Sequence, residues 1–361
     1  MSAQSILPVK KCALIAAAGT GGHIFPGLAI AEALIAKGWD IVWLGTKTGM
    51  ENRLVPQRNI KFEAIEFGGT RGKGITTWLL MPYRLMKAVV QCSQIIYKTK
   101  PNLVFGFGGY VSLPAGLAAK LMAKPLAIHE QNSVVGLSNK VLSLLTKNVF
   151  TAFPNVVSKA AVTGNPLRQE FTEVESPEVR FQKREGPLNL LIIGGSLGAK
   201  FLNETVPQAI KLIPQESRPK ILHQSGASQC DGVQNLYKKL DVEATVVSFI
   251  DNTAEAFADA DLIICRAGAS TVTEIAGIGA AALFVPLPSA VDDHQTKNAL
   301  YLAEKDAAWL QKQNDTTPEK LATEISKMNR AMLLNAARAA KKQALTNAVE
   351  VIVEKCEVLI K

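Results

Sequence analysis

Short apolar runs bounded by polar turns alternate with amphipathic stretches along the whole chain, and this alternation predicts strand and helix in turn. In the first half the runs at 13–18, 41–45, 62–67, 103–107, 126–129, 149–153 and 161–163 read as strands, with helical periodicity between them, as at 27–36. The second half repeats the pattern at 190–193, 221–224, 245–249, 262–265 and 282–285, followed by helices. Apolar strands joined by helix-length crossovers belong in parallel sheets. The charged stretch 170–187 has no strand pattern and reads as a linker, so two α/β domains are expected, with a boundary near Gly164-Asn165-Pro166. A length of 361 residues, more than one core ordinarily supports, agrees.

Two of these strands run into glycine-rich turns: Gly19-Thr20-Gly21-Gly22-His23 in the first half and Gly194-Gly195-Ser196-Leu197-Gly198 in the second. Glycine lets backbone N–H groups approach an anion, and the following helix N-terminus adds partial positive charge, so each turn is a phosphate cradle. Doubly wound sheets bind ligands beyond the carboxyl ends of their strands. The chemically notable residues fall there: Gly106 to Tyr110, His129 to Asn132, Ile250-Asp251-Asn252 and Arg266-Ala267-Gly268. Two such sets of loops predict one cleft between two domains. A dinucleotide oxidoreductase is excluded. The turn lacks its third glycine, and the second strand ends Leu44-Gly45-Thr46-Lys47 without the acid that holds a ribose.

Charge and cysteine usage narrow the setting. The five cysteines are scattered with no Cys-x-x-Cys pair, which implies a reducing compartment and no structural metal. Lys10-Lys11 ahead of 12–18 has the outline of a signal peptide, but the apolar run is minimal and passes straight into the glycine turn, so a cytosolic chain is expected. The net charge of +9 is uneven: residues 1–164 carry 18 Lys/Arg against 6 Asp/Glu, a net +12, and the remainder is −3. Nothing of the recognition-helix or stacking-sheet kind accompanies it, so no nucleic acid partner is expected. An anionic membrane surface suits the basic half better.

Six motifs then stand in order over nearly the whole chain: Gly-Thr-Gly-Gly-His at 19–23, Gly-Gly-Tyr-Val-Ser at 108–112, His-Glu-Gln-Asn at 129–132, Gly-Asn-Pro-Leu-Arg at 164–168, Gly-Gly-Ser-Leu-Gly at 194–198 and Cys-Arg-Ala-Gly-Ala-Ser-Thr-Val-Thr-Glu at 265–274. Together they resemble the MurG-type N-acetylglucosaminyltransferases of bacterial peptidoglycan synthesis. The resemblance implies a glycosyltransferase B fold, two Rossmann-like domains facing a central cleft. Residues 1–164 would form the acceptor and membrane-facing domain, joined by a C-terminal helix at 344–361, and 165–343 the UDP-sugar domain. It implies inverting transfer of N-acetylglucosamine from UDP-N-acetylglucosamine to the 4-hydroxyl of the muramyl sugar in undecaprenyl-pyrophosphoryl-muramyl-pentapeptide, a step of cell-wall synthesis, without metal or other cofactor. A related transferase using another lipid acceptor such as diacylglycerol, or a membrane-docked scaffold that only presents the nucleotide sugar, are the alternatives.

Roles follow residue by residue. Ser196 and its loop amides would stabilise the departing UDP, with Arg168 adding charge near the diphosphate or else capping the interdomain segment. As the resemblance implies, Ile250 would offer backbone groups to uracil, Glu274 would take the ribose hydroxyls, and Ala269, Ser270, Thr271, Val272 and Thr273 would form a helix entrance against the nucleotide. Gln295 would read the sugar, and Thr20, Gly21, Gly22 and Asn132 would complete the donor site. Ala18 and His294 depart from the usual glycine and glutamine of the family. His23 is the candidate base, or a ligand of the acceptor diphosphate; Glu130 is the rival base, or a residue that orients His129 or caps a helix. Gly108, Gly109 and Tyr110 would hold acceptor phosphates.

The stretch 75–97 reads as a long apolar helix with Trp78, Leu79 and Leu80 near its start and Arg84 and Lys87 beside them. Basic residues next to aromatics predict docking on the cytoplasmic face of the bacterial inner membrane as a peripheral protein, while a core helix explains the apolar residues of the later part equally well.

Overall fold

A computed structural model describes residues 10–68, 79–195 and 197–360. The chain divides into two compact units, one comprising residues through Arg168 together with those from Asn347 onward, the other Gln169–Thr346. In the first, strands β1 (Cys12–Ala16), β2 (Asp40–Gly45), β3 (Lys61–Ala64), β4 (Leu103–Gly106), β5 (Leu126–Glu130), β6 (Asn148–Thr151) and β7 (Ala161–Val162) form a sheet of order β3-β2-β1-β4-β5-β6-β7. Every pairing is parallel, with Ala16 of β1 in register with Leu44 of β2 and Gly106 of β4. The central strands β1 and β4 are covered on both faces, which is why they are apolar throughout rather than alternating, while the edge strands β3 and β7 are partly or wholly exposed. Ile15, Trp43 and Phe105 pack on one side against helix Gly21–Ala36 and the C-terminal helix Ala348–Leu359, through Ile24, Leu28, Ile352, Val353 and Cys356. Leu14, Leu44, Val104 and Ile128 pack on the other against helices Met81–Thr99 and Ser112–Leu121.

The second unit repeats the plan with β8 (Asn189–Ile193), β9 (Lys220–Gln224), β10 (Thr245–Val247), β11 (Leu262–Cys265), β12 (Ala282–Phe284) and β13 (Trp309–Leu310), all parallel, in the order β10-β9-β8-β11-β12-β13. Leu190, Ile192 and Ile264 bury against Leu202, Val206 and Ile210 of helix Lys200–Leu212 and Leu321 and Ile325 of helix Pro318–Lys327. In each sheet the strand order reverses between neighbours, β1 and β4 in one and β8 and β11 in the other, and both glycine turns emerge at that switch point.

The structure departs from the sequence expectation in several places. The first helix starts at Gly21, six residues before 27, and runs through Pro26. The stretch 170–187 holds a helix, Pro177–Gln182, capped by Ser176, and Arg180 donates to the carbonyls of Ala258 and Ile278. It is therefore docked into the second unit rather than a free linker. The division falls after Arg168 instead of Gly164, because Asn165 and Leu167 are buried and the Arg168 guanidinium stacks on Phe25, 5.5 Å from the ring centre. The C-terminal helix, Ala348–Leu359, is shorter than 344–361, and its Val358 is exposed. β13 is two residues long and gave no periodic signal.

Candidate active site

Beyond β1 the chain passes through buried Ala17 and Ala18 into Gly19, at φ +101°, and Thr20, whose extended backbone opens helix Gly21–Ala36. The Gly19 N–H donates to Glu51 Oε2 at 3.3 Å, and Glu51 Oε1 accepts from the Thr46 N–H at 3.0 Å and hydroxyl at 2.9 Å. Glu51 is fully buried, so this carboxylate is committed to holding the turn. The loop after β4 lies alongside. Gly108 and Gly109 both have positive φ, and a Cβ on Gly109 would collide with the Ala18 carbonyl. The Ser112 hydroxyl sits 2.7 Å from the Gly108 carbonyl oxygen and 2.9 Å from that of Ala16, clipping the loop to β1, while the Tyr110 hydroxyl lies 3.4 Å from Thr46 Oγ1.

His23, half-exposed in the first turn of the helix, has its Nδ1 2.9 Å from Gln131 Oε1. Gln131 Nε2 lies 3.0 Å from His129 Nδ1, and His129 Nε2 lies 3.0 Å from the Gly164 carbonyl oxygen. His129 is wholly buried and burial pushes its pKa down to about 4, so it is neutral at physiological pH. Glu130 is also buried. Its Oε1 accepts from the Asn132 N–H and side-chain amide, and its Oε2 from the Gly136 N–H and the Asn139 amide. Of the two candidate bases, His23 stands at the cradle and Glu130 is spent on folding its own loop. Asn132 accordingly lends its side chain to Glu130.

In the second unit the turn after β8 is pinned from below. Gln224 Nε2 donates to the carbonyls of Gly195 at 3.1 Å and Ser248 at 3.0 Å, and Gly198, at φ +76°, lies so close to the Ser225 carbonyl that a Cβ would strike it. Asn203 donates to Ser225 O at 2.9 Å and accepts at Oδ1 from His223 Nε2 at 3.0 Å; the other ring nitrogen of His223 meets the Tyr237 hydroxyl at 2.9 Å. Burial pushes His223 down to about 4 as well. Ser196 lies outside the described residues.

Helix Ala269–Ile278 begins beyond β11 at Gly268. Ala269, Val272 and Thr273 face its own core, and the Thr273 hydroxyl donates back to the Ala269 carbonyl at 2.9 Å, so these three offer a ligand backbone at most. Thr271 and Glu274 remain partly accessible, as does Ser270, although its hydroxyl oxygen is itself buried. Ile250 is half-buried just past β10, and Gln295 uses its Oε1 to accept from Leu287 N at 3.0 Å, leaving its amide nitrogen. Glu51 and Gln131 were not singled out by sequence reasoning. Gln131 stood inside a quoted motif, whereas Glu51 carried no local signal.

On the first unit Leu79 is 75% exposed and Leu80 49%, with Tyr83, Met86 and Val90 also exposed on helix Met81–Thr99. Arg84 is exposed, but Lys87 is paired with Glu66 at 2.7 Å and so contributes less positive charge than expected. Trp78 lies outside the described residues. Among the described residues no helix is long and apolar enough to cross a membrane, and no three His, Cys, Asp or Glu side chains group as a metal site.

Two doubly wound parallel units, each with a glycine cradle at its switch point, make a glycosyltransferase B fold, and the protein is a glycosyltransferase. Residues 13–151 match the model of the glycosyltransferase family 28 N-terminal domain and residues 189–354 that of the family 28 C-terminal domain. The chain belongs to glycosyltransferase family 28. A Polaromonas naphthalenivorans protein named "UDP-N-acetylglucosamine--N-acetylmuramyl-(pentapeptide) pyrophosphoryl-undecaprenol N-acetylglucosamine transferase" is 54% identical over 355 residues, 97% of this chain and 99% of its own. A Cupriavidus metallidurans protein of the same name is 49% identical over 346 residues, 96% of this chain and 97% of its own. The crystal structure of Acinetobacter baumannii MurG superposes with a TM-score of 0.84 at 42% identity, covering 96% of this chain and 99% of that one. A calicheamicin glycosyltransferase, with a TM-score of 0.68 at 14% identity, shares the fold alone.

Proposed function

We propose that this enzyme transfers N-acetylglucosamine from UDP-N-acetylglucosamine to the 4-hydroxyl of the muramyl sugar of undecaprenyl-pyrophosphoryl-muramyl-pentapeptide, with inversion, in peptidoglycan synthesis. The observation that carries the reading is His23, an accessible imidazole in the first turn behind a glycine cradle, in a chain that matches so-named transferases over almost its full length. In this reading Nε2 of His23 takes the proton of the acceptor hydroxyl as its oxygen attacks the anomeric carbon, and the breaking C–O bond leaves its electron pair on UDP. The turn after β4, with Gly108, Gly109 and Tyr110, is assigned to the acceptor diphosphate. The turn after β8, including Ser196, is assigned to the UDP diphosphate, and Glu274 to the ribose.

The acceptor is a membrane lipid, so the exposed Leu79, Leu80 and Arg84 are assigned to an anionic bilayer surface on the cytoplasmic side. The test is transfer by the purified chain from radiolabelled UDP-N-acetylglucosamine to the muramyl lipid, with diacylglycerol as the competing acceptor. Transfer to the muramyl lipid alone is expected. Preferential glycosylation of diacylglycerol, or no transfer at all, overturns the reading.

A further inference from the structure

The His23 ring lies at one end of a hydrogen-bonded chain whose other end is a main-chain carbonyl. Gly164 C=O can only accept, so the proton between it and His129 belongs to His129 Nε2. A buried imidazole that stays neutral has no second proton, which leaves His129 Nδ1 a bare lone pair. The Gln131 amide nitrogen donates to that lone pair at 3.0 Å and lies 3.2 Å from the carbonyl oxygen of His129, so both of its N–H bonds point to one side. The amide oxygen is thereby turned toward His23 Nδ1 at 2.9 Å. Since that oxygen can only accept, the neutral His23 ring carries its hydrogen on Nδ1 and presents the lone pair of Nε2.

The surroundings hold this arrangement in place. Phe107 stacks on His129 with ring centres 5.9 Å apart and planes at 28°. Gly108 lies directly over the His23–Gln131 contact, where a Cβ would come within 2.9 Å of His23 Nδ1.

We infer that Gln131 and His129 are positioning residues that fix the tautomer of His23, with the polarity set by the Gly164 carbonyl, so that Nε2 is the basic atom. The inference rests on the reading of His23 as base. An amide suits the middle position because it donates on one side and accepts on the other; a carboxylate would set an acceptor against the His129 lone pair. When Nε2 takes a proton, Nδ1–H keeps its bond to the Gln131 oxygen and no proton passes farther, because the amide does not accept one as a base.

The chain contains four histidines, so long-range nitrogen–proton imidazole spectra of the intact, histidine-labelled protein are tractable. At pH 8, His23 is expected to show a protonated Nδ1 and a bare Nε2, and His129 the reverse. Gln131→Met keeps the bulk and removes all three side-chain hydrogen bonds, those to His23 and to the ring and carbonyl of His129. It should give a mixed His23 tautomer and lower kcat roughly 10- to 100-fold, short of the loss expected for the base itself, with KM for the UDP-sugar unchanged. A bare Nδ1 on His23 in the parent protein, or an unaltered tautomer in Gln131→Met, overturns the inference. The parent spectrum decides it even if the variant fails to fold. If the tautomer is as stated but His23→Ala keeps full turnover, it is the base assignment that falls.

Discussion

The two units share a plan but use it differently, and the contrast is clearest in their buried histidines. His129 on β5 and His223 on β9 are both buried strand residues with pKa values pushed down to about 4. His223 is closed in, with one ring nitrogen on Tyr237 and the other on Asn203, and that network supports the turn after β8 without reaching an ionisable group at the surface. His129 opens outward through Gln131 to His23 at the mouth of the other cradle. Among the described residues, one cradle has a histidine attached through its buried network and the other network, around His223, ends on Tyr237 and Asn203. The division predicts proton chemistry in the first unit and anion and nucleotide binding in the second.

The strongest way to break the contrast is His23→Ala. Turnover should fall about 10²-fold or more, the range of a lost general base, while UDP affinity stays nearly unaltered. A change confined to KM for the acceptor would make His23 a ligand and leave both cradles as binding devices. Acid titration comes next. In the unfolded chain these imidazoles take up protons near pH 6.5, whereas His129 and His223 in the folded protein do so only near pH 4. The unfolded state therefore binds more protons in that window, and stability should fall as pH drops from 6.5 to 4, by up to about 3 kcal/mol per ring. Denaturant titrations at several pH values, repeated on His129→Asn and His223→Asn, should each lose one share of the slope. A slope unchanged in both would place the acid sensitivity elsewhere.

Glu274→Ala probes the second unit alone. It should weaken UDP-sugar binding by about 1–3 kcal/mol, the cost of leaving polar partners unpaired, with kcat less affected. Calorimetry showing unchanged UDP affinity would remove the ribose role. The smallest effect concerns the outer surface. Leu79 and Leu80 changed together to Ser should reduce binding to anionic vesicles roughly tenfold at low salt, and high salt should release the parent protein. A variant that sediments with vesicles like the parent would assign this face to something other than lipid.

Much of this organisation was legible in the sequence because it depends on local requirements. The turns at 19–22 and 194–198 need glycine wherever backbone must approach an anion, and buried parallel strands must be apolar on both faces. What was not legible depends on residues brought together from far apart. Glu51 lies in a four-residue helix with no periodicity of its own, yet its carboxylate receives the N–H of Gly19. Gln131 stood in a motif whose histidine and glutamate drew attention first, and only the fold brings its oxygen to a ring 108 positions away in the chain. Glu130 looked like a base because carboxylates beside a cradle often are; its four bonds to its own loop were invisible without coordinates. Lys87 was counted as free positive charge because Glu66 lies 21 positions earlier.

The helix Ala348–Leu359 completes the core of the first unit, seating Ile352, Val353 and Cys356 beside Trp39 and Trp43, although the whole of Gln169–Thr346 separates it from that unit in the chain. On the ribosome the first sheet therefore emerges with one side of helix Gly21–Ala36 still uncovered. At roughly 5–20 residues per second it waits about 10–40 s, while the intervening unit is synthesised, before its last piece arrives. The order of synthesis and the order of packing differ, and the first unit is the earlier to start emerging and the later to have all its residues available.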